Sequence, residues 1–114
     1  MKNDLEKSLD YLTEQIKLYR QTDIMDGEGL VQLLQQITAT LYYLENERSK
    51  FHDEFQRIIN SLVLDGNSVS RAENEAHVQI PQMYKLRHVM QCSYEIVGAI
   101  RTQISWLKSE KQSI

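Results

Sequence analysis

An apolar stripe runs in register through the middle of the sequence, and its spacing strongly restricts how the chain can fold. The stripe comprises Leu30, Leu34, Ile37, Leu41, Leu44, Arg48, Phe51, Phe55, Ile58 and Leu62. Its intervals alternate between four and three residues, which is the a/d spacing of a heptad repeat and keeps one seam of a helix against a partner helix. Such a helix is about 50 Å long, whereas a compact domain of this size is about 30 Å across. The sequence therefore predicts an elongated all-α protein.

Two other segments repeat this spacing, so each of them also requires a helical partner. The N-terminal seam is Leu5, Leu9, Leu12, Ile16 and Tyr19. The C-terminal seam is Met83, Leu86, Met90, Ser93, Val97, Ile100, Ile104 and Leu107. Together with the central helix they predict three long heptad-patterned helices, arranged as an elongated hairpin or bundle in a single domain, 1–114.

Polar residues, glycine and proline predict where these helices begin and end. Asn3 is typical of an N-cap, and Gly66 is the expected left-handed residue after the long helix. Ser70 and Glu73 have the spacing of a capping box, which predicts the start of a short helix there. Pro81 lacks an N–H and disfavours helical geometry at Ile80, so we expect the short helix to end before it.

The long seam extends farther than its partner helices are expected to cover, so we expect the protein to form a homo-oligomer. The predicted interface is Leu34, Ile37, Leu41, Leu44, Arg48, Phe51, Phe55 and Ile58. Arg48 is the one charged member. It either fixes register and oligomeric state, or packs its stem while its guanidinium reaches water.

The composition predicts an ordinary globular chain, with 41% hydrophobic and 25% charged residues in a total of 114. Cys92 is the only cysteine, so no intrachain disulfide can form, and we expect a reducing, cytoplasmic location. The N-terminus carries acids among its apolar residues, and no window is apolar enough to cross a bilayer. We therefore expect no export and no contact with a membrane.

Charge is distributed unevenly along the chain. Residues 1–67 hold seven Lys/Arg and twelve Asp/Glu, a balance of −5, whereas residues 68–114 hold six and four, a balance of +2. The basic final helix can pack beside an acidic one within the bundle, or it can present a surface to nucleic acid. Aromatic rings near cations are typical of single-stranded nucleic-acid binding, although such rings also serve in helix packing. The candidate binding residues are Tyr84, Lys85, Arg87, Arg101, Trp106 and Lys108.

No pattern in the sequence indicates catalysis, a metal, a cofactor or a small-molecule substrate. Di-iron bundles need Glu-x-x-His on two helices, and this chain has none. The acidic cluster Glu45, Glu47, Asp53 and Glu54 would suit a helical nucleotide hydrolase only if a second helix supplied matching acids. In the middle of the final helix, only Glu95 is available for this role. Cys92 is most simply a small buried hydrophobe, so we expect a protein that is not an enzyme.

Two stretches of the C-terminal half have a recognisable pattern: residues 68–76, SVSRAENEA, and residues 94–108, YEIVGAIRTQISWLK. They resemble the recombination mediator family of T4-like phages. In that family too a long helix, a polar turn, a short helix and a basic final helix occur in this order, and the resemblance covers about the last two-thirds of the chain. The matching positions are Ala99, Ile100, Arg101, Leu107 and Lys108. The family's basic cluster late in the long helix is reduced here to Arg57.

This resemblance implies an oligomer that binds single-stranded DNA and loads a recombinase onto strands coated by single-strand-binding protein. The expected function is therefore that of a phage-like, non-catalytic accessory protein of DNA recombination. The alternative is a structural or adaptor bundle that binds only other proteins, which the acidic N-terminal half suits equally well.

Overall fold

The computed structural model describes residues 3–112, which form four α-helices and no strand. The helices are α1 (Asp4–Gln21), α2 (Gly27–Leu64), α3 (Val69–Gln79) and α4 (Gln82–Gln112). The molecule measures 67 × 34 × 19 Å and has a radius of gyration of 18.7 Å. A compact chain of this length would have a radius of gyration of about 13 Å. The prediction of an elongated all-α fold with three long helices and one short one is confirmed.

Most helix ends follow the local chemistry that the sequence predicts. The Asn3 side chain accepts a hydrogen bond from the Glu6 N–H at 2.8 Å and so caps α1. Gly66 has φ +99°, the left-handed conformation that terminates α2. Ile80 caps the C-terminus of α3, and Pro81 separates α3 from α4.

The start of α3 differs from the prediction. Its N-cap is Ser68, whose Oγ accepts a hydrogen bond from the Arg71 N–H at 3.2 Å, and Ser70 lies inside the helix. The reason is the tight turn after α2. Both the backbone N–H and the side-chain Nδ2 of Asn67 donate to the Leu62 carbonyl at 3.0 Å. This turn leaves Ser68 extended and ready to cap, two residues earlier than expected.

The larger core lies between α2 and its two neighbours, α1 and α4. Helix α4 runs antiparallel to α2, because Tyr94 bonds Glu45 while Gln103, farther along α4, bonds the Ile24 carbonyl before α2. The buried members of this core are Leu5, Leu9, Leu12, Leu30, Leu33, Ile37, Leu41, Leu44, Leu86, Met90, Val97 and Ile100. The heptad seams of α1 and α4 therefore meet about the first half of α2, from Leu30 to Leu44.

A second core joins the end of α2 to α3 and to the start of α4. It contains Phe55, Ile59, Ala72, Ala76, Ile80 and Met83. The two alanines of α3 are fully buried, so their small side chains allow α3 to approach α2 closely. Phe51 packs against both cores. The apolar interior therefore continues along the whole length of α2.

The predicted oligomer interface needs correction, because α1, α3 and α4 already cover much of it. Ile37, Leu41, Leu44 and Phe55 are buried within the single chain, so the prediction that they face another copy is wrong. The other four predicted residues, Leu34, Arg48, Phe51 and Ile58, are half-buried. Helices α1, α3 and α4 of the same chain supply the apolar partners for the four buried residues, which are therefore not available for contact with another copy.

Candidate nucleic-acid interface

All six candidate nucleic-acid residues lie on α4 and are exposed to solvent. Tyr84, Lys85 and Arg87 lie near its start, and Arg101, Trp106 and Lys108 lie near its end. The centres of the two groups are about 30 Å apart along the helix axis, at 1.5 Å per residue. They can therefore act together only on an extended ligand that follows α4.

The seven-residue periodicity of α4 divides these residues between two flanks of its buried seam. Residues seven apart lie on one line along a heptad-patterned helix. Arg87, Arg101 and Lys108 share such a line, which we call the cation stripe. Lys85 and Trp106 are 21 residues apart and share a second line, on the opposite flank. The predicted site is therefore not one continuous surface.

The cation stripe lies on the side of α4 where a tyrosine joins it to α2. Tyr94 occupies the same heptad position as the stripe, midway between Arg87 and Arg101. Its hydroxyl donates to Glu45 Oε1 of α2 at 2.6 Å. The other oxygen, Glu45 Oε2, accepts from Arg48 Nε at 3.0 Å and Arg48 Nη2 at 2.9 Å. This network places an aromatic ring, 46% exposed, among the cations.

The network also sets the protonation of its two acids. The hydrogen bond from Tyr94, assisted by Arg48, lowers the pKa of Glu45 in spite of partial burial. Burial, followed by the hydrogen bond to Glu45, raises the pKa of Tyr94 to about 12. At neutral pH Glu45 is therefore ionised and Tyr94 keeps its proton, which is the state in which the hydrogen bond forms.

A shallow hollow of about 420 Å³ lies beside Tyr94 and contains charges of both signs. Arg48 and Arg87 line it together with Glu45 and Glu95. The Arg87 guanidinium lies 5.9 Å from the centre of the Phe55 ring, a distance typical of a cation–π contact. Because the charges in the hollow balance, any positive excess on this face comes from Arg101 and Lys108.

The structure of Arg48 fits the second interpretation of this residue, in which its stem packs while its guanidinium reaches water. Its side chain is 41% exposed, and its guanidinium is held by Glu45 on the same helix. It therefore lies at the edge of the intramolecular core, where its stem can pack while its charge stays in contact with water.

Tyr94 is not among the six residues predicted for the site. The signal that could have found it is the spacing of 87, 94, 101 and 108, in which an aromatic residue interrupts three cations at exact heptad intervals. Its hydrogen bond to Glu45 joins residues 49 apart in the sequence, so it could not be read from local patterns.

The described residues contain no group of three or more His, Cys, Asp or Glu side chains placed to hold a metal ion. On α4, His88 Nε2 lies 3.9 Å from Cys92 Sγ, but these two side chains do not belong to such a group. Among the helices of residues 3–112, none has a stretch both long and apolar enough to cross a membrane.

Comparison with known proteins returned no match to a family model, to a curated protein or to a solved structure.

Proposed function

We propose that this protein is a non-catalytic accessory factor of DNA recombination that binds single-stranded DNA along α4 and assists a recombinase. The observation that carries the proposal is the cation stripe. Arg87, Arg101 and Lys108 are exposed on one line of a continuous helix, with the Tyr94 ring fixed between the first two. The resemblance to phage recombination mediators supports the same function.

The chemistry of the stripe suits a flexible strand. Single-stranded nucleic acid is bound by cations that follow the backbone and by aromatic rings on which bases stack, without regard to sequence. Exposed Tyr84 lies one turn before Arg87 and offers a second ring on the same side of α4. Three cations are few, so we expect micromolar affinity from one chain and stronger binding where several copies engage one strand.

The test is a titration of labelled single-stranded DNA at several salt concentrations. For single strands, the slope of log K against log salt is about −0.7 per phosphate neutralised. The triple substitution Arg87→Ala, Arg101→Ala and Lys108→Ala should therefore weaken binding and make the slope shallower by about 2. Lys85→Ala should have a small effect, because Lys85 lies on the other flank of α4.

A matched control removes the same charge elsewhere. Arg20, Arg57 and Arg71 are exposed on α1, α2 and α3. Their triple alanine variant changes the net charge equally, so it should keep most of the affinity if position matters and not only total charge. No binding by the wild-type protein at low salt, or equal losses in both triple variants with helicity retained, would contradict the proposal.

A protein-only adaptor is the second candidate, favoured by exposed apolar side chains where α2 turns into α3. Leu64 is 87% exposed, and Val69 and Val63 lie beside it around one hollow of about 630 Å³. Such a patch is typical of a protein contact surface. If this function is correct, Leu64→Ser should abolish capture of a recombination protein or another partner, while single-stranded DNA shows no binding at any salt concentration.

A further inference from the structure

The end of the bundle where α2 begins and α4 ends carries an apolar hollow of about 570 Å³, which we call the end hollow. Its apolar lining comes from two sides: Met25, just before α2, and Val31 of α2 on one side, and Ile104 and Leu107 of α4 on the other. Met25 is 56% exposed and Val31 is 39% exposed. Within residues 3–112, this apolar surface is therefore left partly open to solvent.

The charges around the end hollow are equal in number and opposite in sign. Asp26 and Glu28 come from the start of α2, whereas Lys108 and Lys111 come from the end of α4. All four are exposed, and no ion pair joins the acids to the lysines within the described part of the chain. A surface that carries both signs on opposite sides of an apolar centre is complementary to a rotated copy of itself.

We infer that two copies of this chain associate through the end hollow about a two-fold axis. A two-fold interface brings the same patch of both subunits together, so residue i of one copy meets residue j of the other and the reverse. The lysines of each α4 then face the acids at the start of the other α2, while Val31 and Leu107 pack at the centre. A second copy therefore supplies partners for both the acids and the lysines of the end hollow.

The pairing does not depend on DNA binding, because Arg87 and Arg101 lie outside the end hollow. It would instead place two α4 helices near one another at their C-terminal ends. Two cation stripes would then be available to one strand, which raises affinity through effective concentration without any new type of contact. Lys108 would contribute to both surfaces, at the boundary between them.

Light scattering or sedimentation of the full chain tests the inference between about 10 and 500 µM. The wild-type mass should rise with concentration from 13.4 kDa toward twice that value. Val31→Asp should keep the protein at the monomer mass, because it places a charge in the apolar centre. Val78→Asp is the matched control and should behave as wild type. Val78 is an exposed residue of α3, which packs against the other end of α2.

Charge reversal gives a sharper test, in which two variants are measured alone and then mixed. Glu28→Lys makes the patch wholly basic except for Asp26, and the double change Lys108→Glu, Lys111→Glu makes it wholly acidic. Each of these proteins alone should remain monomeric, whereas an equimolar mixture should form a heterodimer. A wild-type mass of 13.4 kDa throughout, an unaffected Val31→Asp variant, or a mixture that stays monomeric would overturn the inference.

Discussion

Gln15 is a residue whose environment the apolar pattern of α1 does not indicate. The sequence places Ile16 in the seam, yet Gln15 is only 6% exposed and Ile16 is half-buried. The Gln15 Oε1 atom has no hydrogen-bond partner within residues 3–112. A buried polar atom without a partner costs about 1–3 kcal/mol, so this position reduces the stability of the bundle.

We predict that Gln15→Met raises the free energy of unfolding by about 1 kcal/mol. Methionine has a similar length and a similar helix propensity, so the main change is removal of the unpaired oxygen. Urea denaturation measures the effect. Gln35→Met, on the exposed face of α2, serves as control and should change stability by less than about 0.5 kcal/mol. A clear loss of stability in Gln15→Met would show that the amide makes a contact that the structure does not contain.

The Tyr94–Glu45 hydrogen bond should make a small, pH-dependent contribution to stability. Because the folded state lowers the pKa of Glu45, its contribution is present above the unfolded value of 4.5 and is lost as pH falls through the lower folded value. The raised pKa of Tyr94 acts at the alkaline end, where the contribution is lost as pH rises from 10 through about 12.

We therefore predict that Tyr94→Phe lowers the free energy of unfolding at pH 7 by about 0.5–1 kcal/mol, a value reduced for the exposure of Glu45. When the free energy of unfolding is measured by urea denaturation at several pH values, the two proteins should become equally stable in acid, once Glu45 is protonated in the folded state. A difference that is the same at neutral and acidic pH would mean that the tyrosine acts by packing and not through the carboxylate. Tyr42→Phe, a highly exposed tyrosine on α2, is the control.

At the scale of helices and turns, sequence patterns predict much of the structure because the determining contacts are local. The intervals of four and three residues locate the long helices, and the seam of α4 from Met83 to Ile100 is buried as predicted. The start of α3 was predicted less well. The capping-box spacing favours Ser70, yet Ser68 is the N-cap, because Asn67 closes the preceding turn and leaves Ser68 extended.

Alanine substitutions at two glycines should change the stability of the protein in opposite directions. Gly66 has φ +99°, so Gly66→Ala should destabilise the protein by about 1 kcal/mol. Gly98 lies within α4, and a Cβ there would meet no atom within 4 Å. Gly98→Ala should therefore stabilise by about 0.5–1 kcal/mol through helix propensity. Thermal or urea denaturation of the two variants measures this, and changes of the same sign would contradict the assignment of their backbone roles.

At the scale of the whole molecule, the sequence indicates that the seams need partners but does not specify which ones. Ile37 and Leu44 would be buried equally well by a second copy or by α1 and α4, and only the assembled fold shows that the chain covers them itself. By contrast, the heptad register of α4 alone divides the six candidate residues between two flanks. Lys85 and Trp106 then separate from the cation stripe.

The measurement that tests the DNA proposal most directly is an NMR titration of the 13.4 kDa protein with a short single-stranded oligonucleotide at low salt. Shifts should concentrate on Arg87, Tyr94, Arg101 and Lys108, with smaller changes at Glu45, which is bonded to Tyr94. Signals from Lys85 and from α1 should change little, and raising the salt should reverse the shifts. An unchanged spectrum at saturating oligonucleotide, or shifts centred on α1 or α3, would contradict the proposed binding surface.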